Sequence, residues 1–78
     1  MNLIPLATLP EGSKAVVRDV VGGRGAMRKL MSMGIIPGRE IEVLGRRGGA
    51  MLILINGTKF VIGRGLAMKV IVDVGKEG

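Results

Sequence analysis

Met51-Leu52-Ile53-Leu54-Ile55-Asn56-Gly57-Thr58-Lys59-Phe60-Val61-Ile62 is the stretch on which the fold turns. Asn-Gly is the strongest short hairpin signal, because both residues tolerate the positive φ that a type I′ turn demands. With a two-residue turn, Ile55 faces Thr58, Ile53 faces Phe60 and Met51 faces Ile62, so Met51, Ile53, Ile55, Phe60 and Ile62 share one side. That side is the expected interior. The other side carries Leu52, Leu54 and Val61 beside Lys59, and is too apolar for a freely solvated face. Either the N-terminal arm or the helix described next covers it, or a second subunit or partner protein does.

Upstream of the hairpin, Glu40-Ile41-Glu42-Val43 alternates strictly and reads as a half-buried strand. Ile36-Pro37-Gly38 before it has the residues of a type II turn, and Arg46-Arg47-Gly48-Gly49 after it reads as a flexible, charged loop. Lys14 to Val21, rich in Val, is the first expected strand, and Gly22-Gly23 ends it. Ala26, Met27, Leu30, Met31 and Met33 then fall at helical spacing, with Gly34 as the C-terminal cap of a helix of about two turns. Met1 to Gly12 reads as an extended arm closing in the turn Pro10-Glu11-Gly12. Downstream, Gly63-Arg64-Gly65 breaks the return strand, Leu66-Ala67-Met68 makes a short turn, and Lys69 to Val74 is the last strand. The total is about five strands and one short helix joined by short turns. Such a chain is mainly β, a strongly bent sheet closing into a small barrel, as one domain over residues 1–78.

Composition narrows the chemistry. The chain has 78 residues, 47% of them hydrophobic, with one aromatic, Phe60, and no Trp, Tyr, His or Cys. Zinc and most transition-metal sites draw on imidazole or thiolate, and catalytic triads need His or Cys, so neither is expected. With six Asp and Glu in all, the chain does not read as an enzyme. The lack of cysteine suits a reducing compartment, and the cytoplasm is the default. The longest apolar run, Ala50 to Ile55, is six residues, against roughly 20 needed to cross a bilayer. Met1 to Pro10 lacks the basic start and the apolar length of a signal peptide. A net charge of +6 points to an acidic partner: nucleic acid, anionic lipid or an acidic protein face.

The helix offers the clearest candidate for that partner. Its apolar positions span roughly 160°, wider than the stripe of about 100° that docking on a small sheet requires, so one edge is available. Leu30 lies near the centre of this face. Leu30 and Met27 read first as core, while Met31 and Met33 lie towards the edges, where core and surface are equally open readings.

Arg28-Lys29-Leu30-Met31-Ser32-Met33-Gly34-Ile35-Ile36-Pro37-Gly38, followed by Glu40-Ile41-Glu42-Val43, resembles the ferrous iron transport protein A family. Leu9-Pro10-Glu11-Gly12, Gly57 with Phe60-Val61-Ile62, Ala67 and Val70-Ile71-Val72 extend the resemblance over nearly the whole chain. It departs from the commoner family pattern at Gly63-Arg64-Gly65 and Arg46-Arg47-Gly48-Gly49, which bears on loop geometry. The resemblance implies an SH3-like barrel, similar also to the C-terminal domain of iron-dependent repressors. It further implies a cytoplasmic accessory or regulatory protein of ferrous iron uptake, docking on ferrous iron transporter B, at its GTPase domain or membrane-facing loops, and modulating its activity or assembly. Leu30, Met31 and Met33 are the expected docking residues, with Arg28 and Lys29 attracting an acidic partner. Self-association through Leu52, Leu54 and Val61 is a second expected contact.

Three other chemistries are weaker. The family is described as metal-associated, yet hard ferrous iron favours clustered carboxylates or imidazoles, and here only Glu40 and Glu42 lie close. Their plainer reading is a solvated strand face, so no metal site and no resident cofactor are expected. Gly22-Gly23-Arg24-Gly25 before a helix is similar to a phosphate-cradling loop but lacks the Lys-Ser/Thr pair of a P-loop, and reads as a flexible connection. Arg24, Arg28, Lys29, Arg46, Arg47 and Arg64 sit in or beside loops, and gathered together they would make a rim for nucleic-acid phosphates. The single Phe supplies no stacking platform, which disfavours that alternative.

Overall fold

In the computed structural model, which describes residues 2–75, strands β4 (Ala50–Ile55) and β5 (Thr58–Gly63) form the hairpin in the register the Asn-Gly turn dictates. Asn56 and Gly57 both take positive φ, 54° and 80°, and Ile55, Ile53 and Met51 pair with Thr58, Phe60 and Ile62. Met51, Ile53, Ile55 and Ile62 are buried, and Phe60 packs against them half-buried.

Strand β3 (Glu40–Arg47) pairs with β4 and runs longer than its alternation suggests. A bulge between Val43 and Gly45 resets the register, so that Gly45 faces Leu52, Arg46 faces Met51 and Arg47 faces Ala50. Arg46 and Arg47, expected in a loop, are therefore strand residues. The Arg46 N–H donates to Glu11 Oε2 at 2.9 Å and its guanidinium donates to the Leu9 carbonyl, which ties the strand's end to the N-terminal arm. Gly48 alone of the two turn residues takes positive φ (60°), as the first central residue of a type II′ turn does.

β2 (Lys14–Val20) pairs with β3 and β6 (Val70–Asp73) with β2, and the arm contributes β1 (Leu3–Pro5) against β6. All pairings are antiparallel, in the order β1-β6-β2-β3-β4-β5. Six strands thus replace the expected five, because the arm pairs at the sheet's edge, where Pro5 needs no backbone donor. A 3-10 helix (Leu6–Thr8) follows β1, α1 (Arg24–Ser32) follows β2, and Arg64–Ala67, expected as strand break and turn, is a four-residue helix, α2. β1 lies at the opposite edge from β5, so the arm leaves the outer hairpin face open: Val61 is 70% exposed.

The interior is aliphatic. Val17, Ile41, Val43, Val70 and Val72 from the strands, Leu6 and Leu9 from the arm, and Leu30 and Ile35 from the helical segment are all inaccessible to solvent. Asp73, the one buried charged residue among those described, clasps Asn2, Arg18 and Gly75 together. Its Oδ1 accepts the N–H of Gly75 at 2.8 Å and of Asn2 at 3.2 Å, and Oδ2 accepts from Arg18 Nε at 3.3 Å. Burial pushes this carboxyl's pKa up, but the two N–H groups and the Arg18 guanidinium outweigh that, and hold it below the ordinary 3.8.

A folded-state pKa below the unfolded one gives a contribution that is complete above the unfolded value and lost as pH falls through the folded one. Urea midpoints measured from neutral pH downwards are therefore expected to lose this component only below about pH 4. Asp73→Asn should start from a lower midpoint and decline less steeply over the acid interval. Parallel acid profiles for the two proteins would contradict the clasp.

Candidate functional site

α1 is held at both ends by backbone devices. At its start Gly22 takes φ of 116°, a conformation that favours glycine. The Val21 N–H donates to the Lys69 carbonyl at 2.8 Å, and the Met27 N–H reaches back to Gly23 at 3.0 Å. At its end Gly34 (φ 87°) is the left-handed cap, with Ile35 N–H donating to the Leu30 carbonyl (3.1 Å) and Gly34 N–H to that of Met31 (2.9 Å). Leu30 and Ile35 then enter the interior and fix which side of the helix faces in.

That orientation corrects one docking residue. Leu30, at the centre of the apolar stripe, is fully buried, so no partner can touch it; it anchors the helix instead. Met33 is half-buried and packs against the core. Met31 is 56% exposed and Met27, whose spacing suggested core, is 37% exposed. Arg24, Arg28 and Lys29 are exposed as well. At about 100° per residue, Arg24, Met27, Arg28 and Met31 stand at i, i+3, i+4 and i+7 and form one continuous strip. Lys29 lies about 160° round the helix from Met31 and belongs to a different face. The surface strip is therefore two flexible thioethers side by side with two guanidinium groups, the thioethers on the flank nearer Leu30, and Met27 and Arg24 are the members that the sequence did not assign to docking. Their signal was present in the i, i+4 pairing of Met27 with Met31, on the same flank of the wide stripe.

The remaining candidates separate in space or stay apart chemically. Glu40 is exposed and Glu42 half-buried on β3, and among the described residues no group of three or more His, Cys, Asp or Glu comes together. The basic residues divide between two places. Arg24, Arg28 and Lys29 are on α1, while Arg64 joins Arg46 and Arg47 around the β3–β4 turn, its N–H donating to the Gly49 carbonyl at 2.8 Å.

Six antiparallel strands wrapped around an aliphatic interior, with a helix carried between β2 and β3, define a small SH3-like barrel. FeoA of Stenotrophomonas maltophilia, a prokaryotic SH3 domain protein solved in complex with zinc, superposes with TM-score 0.81 at 26% identity, covering 90% of this chain and 89% of that one. The crystal structure of an iron uptake regulatory protein (FeoA) superposes with TM-score 0.86 at 39% identity, covering 91% of this chain and 96% of the other. A candidate Fe(2+) transport protein A of Methanocaldococcus jannaschii is 40% identical over 76 residues, 97% of this chain and 93% of that protein. The FeoA domain family model matches residues 4–74, and the chain belongs to the FeoA family, whose relatives named here are iron uptake proteins. A manganese-dependent transcriptional repressor shares the fold alone, with TM-score 0.87 at 22% identity, over 94% of this chain and 37% of its own.

Burial separates the roles of neighbouring helix residues. Leu30→Gln would place an amide in an apolar interior and remove a leucine from it, and is expected to lower stability by about 2 kcal/mol or more. Met31→Gln, on the surface, is expected to stay within about 0.5 kcal/mol of the parent. Urea denaturation of both variants checks this, and equal midpoints would contradict the assignment of Leu30 to the core.

Proposed function

We propose that this chain is the accessory protein of a ferrous iron transporter, docking on the cytoplasmic side of its GTPase-bearing B component and modulating that partner's activity or assembly. The carrying observation is the strip Arg24, Met27, Arg28 and Met31, laid open on α1 of a FeoA-family barrel whose interior is otherwise closed. Exposed methionines adapt to an irregular apolar groove, and flanking arginines steer them towards an acidic surface. The Stenotrophomonas relative is itself proposed as a ferrous iron transport activating factor, which supports the assignment. Ferrous iron is cargo for the partner in this reading, and no resident metal or cofactor is assigned to the chain.

Calorimetric titration of the chain into the transporter in lipid nanodiscs, with and without ferrous iron and guanine nucleotide, tests the proposal. Saturable binding is expected, weakened roughly tenfold or more by Met31→Glu, since truncating or charging an interface anchor commonly costs over 1 kcal/mol. Arg28→Glu should flatten the salt dependence. Absence of binding under every condition, or full binding by Met31→Glu, would overturn it.

A further inference from the structure

The two edges of the sheet, β1 and β5, are defended differently. β1 is three residues long, ends in Pro5 and runs directly into the 3-10 helix, features that deny an incoming strand a template. β5 is six residues long, with neither proline nor bulge in its pairing to β4. In a hairpin closed by a two-residue turn, Thr58, Phe60 and Ile62 exchange hydrogen bonds with their partners, so the N–H and C=O groups of Lys59 and Val61 and the N–H of Gly63 point away from β4, while the Gly63 carbonyl begins α2 as its N-cap. No strand lies beyond them in the sheet, and all three residues are exposed.

Side chains beside that edge define what it fits. Across the outer face, Gly45, Leu52 and Val61 align in one row, with Glu42, Leu54 and Lys59 in the row before it and Arg47, Ala50 and Gly63 in the row after. Gly45, Leu52 and Val61 line a largely apolar hollow of about 530 Å³, completed by Ala50, Met51, Arg46 and Arg47. Lys59 stands at one end of the edge, and Arg64 follows Gly63 at the other. Among the described residues the one ion pair is Arg18 with Asp73, so neither Lys59, Arg47 nor Arg64 meets a carboxylate within salt-bridge distance.

We infer that the β5 edge receives an extended acidic segment of a partner protein as an added antiparallel or parallel strand. Its backbone pairs with Lys59 and Val61 and accepts from the Gly63 N–H, one apolar side chain lies against Val61 at the lip of the hollow, and carboxylates two residues to either side meet Lys59 and Arg64. Charge selects this occupant over a second copy. A second copy would bring another molecule of net charge +6 and another Lys59 and Arg64 to the same edge. The site is separate from the α1 strip and does not rest on its assignment.

The test uses the full chain, labelled for amide NMR, and a short peptide with Val at its centre and Glu two residues to either side, supplied at millimolar concentration. Its counterpart carries Lys for Glu. Amide shifts centred on Lys59, Val61 and Gly63 are expected with the acidic peptide, shrinking as salt is added and absent with the basic one. Val61→Pro removes an outward donor without removing a β4–β5 hydrogen bond, and should abolish the shifts while the Phe60 and Ile62 amides keep their positions. Val61→Lys, which retains every backbone group, should weaken binding roughly tenfold or more. The inference is overturned by shifts that avoid β5, by equal response to the basic peptide, or by undiminished binding in both variants. It is overturned equally by a dimer mass in light scattering with the β5 amides protected, which would give the edge to a second copy through Leu52, Leu54 and Val61.

Discussion

The aliphatic interior enclosed by β3, β4 and β5 positions everything else. Strand alternation sends Ile41, Val43, Met51, Ile53, Ile55 and Ile62 to one side, and a chain with a single aromatic residue can exclude water only by packing these aliphatic and thioether side chains closely. Leu6 and Leu9 close the interior from the arm, and Leu30 and Ile35 close it from the helical segment. Since the core takes so little of α1, most of the helix surface stays outside. The barrel is thereby a rigid mount for a short helix whose outward strip is free to meet something else.

Two exposed features follow from the same economy of residues in the core. One is a helix strip of two methionines beside two arginines; the other is a strand edge with no neighbour in the sheet, beside an apolar hollow. Both pair apolar contact with positive charge, in keeping with a net charge of +6, and the long-range field would draw acidic surfaces to either before short-range packing decides the fit. They use different physics. The helix strip depends on side-chain packing, whereas the edge depends on backbone hydrogen bonds, with side chains setting selectivity.

Much of this was legible in the amino-acid order where local rules dominate. Asn56-Gly57 dictates the hairpin register because few other dipeptides accept two positive φ angles, and Gly34 marks the helix end for a related reason. Features set by distant contacts were not. Arg46 and Arg47 look like loop residues until a bulge at Leu44 and contacts with Glu11 and the Leu9 carbonyl keep them in β3. β1 has no alternation to show, and forms because β6 offers it an edge that tolerates Pro5. Leu30 belongs to an apolar stripe wider than the interior can accept. Periodicity locates such a stripe but does not say which part is buried; Ile35 and the cap geometry decide that, turning Leu30 in and Met27 and Met31 out.

On the proposed function, α1 is the face presented to the transporter. Hydrogen–deuterium exchange of the chain, alone and bound to transporter-containing nanodiscs, addresses it residue by residue without altering the sequence. Slowed exchange through residues 24–33 on binding is the predicted result, since docking on the strip suppresses fraying of a helix held to the core chiefly by Leu30. Unchanged exchange over those residues in a complex shown to be bound would contradict it and move the docking face elsewhere on the barrel.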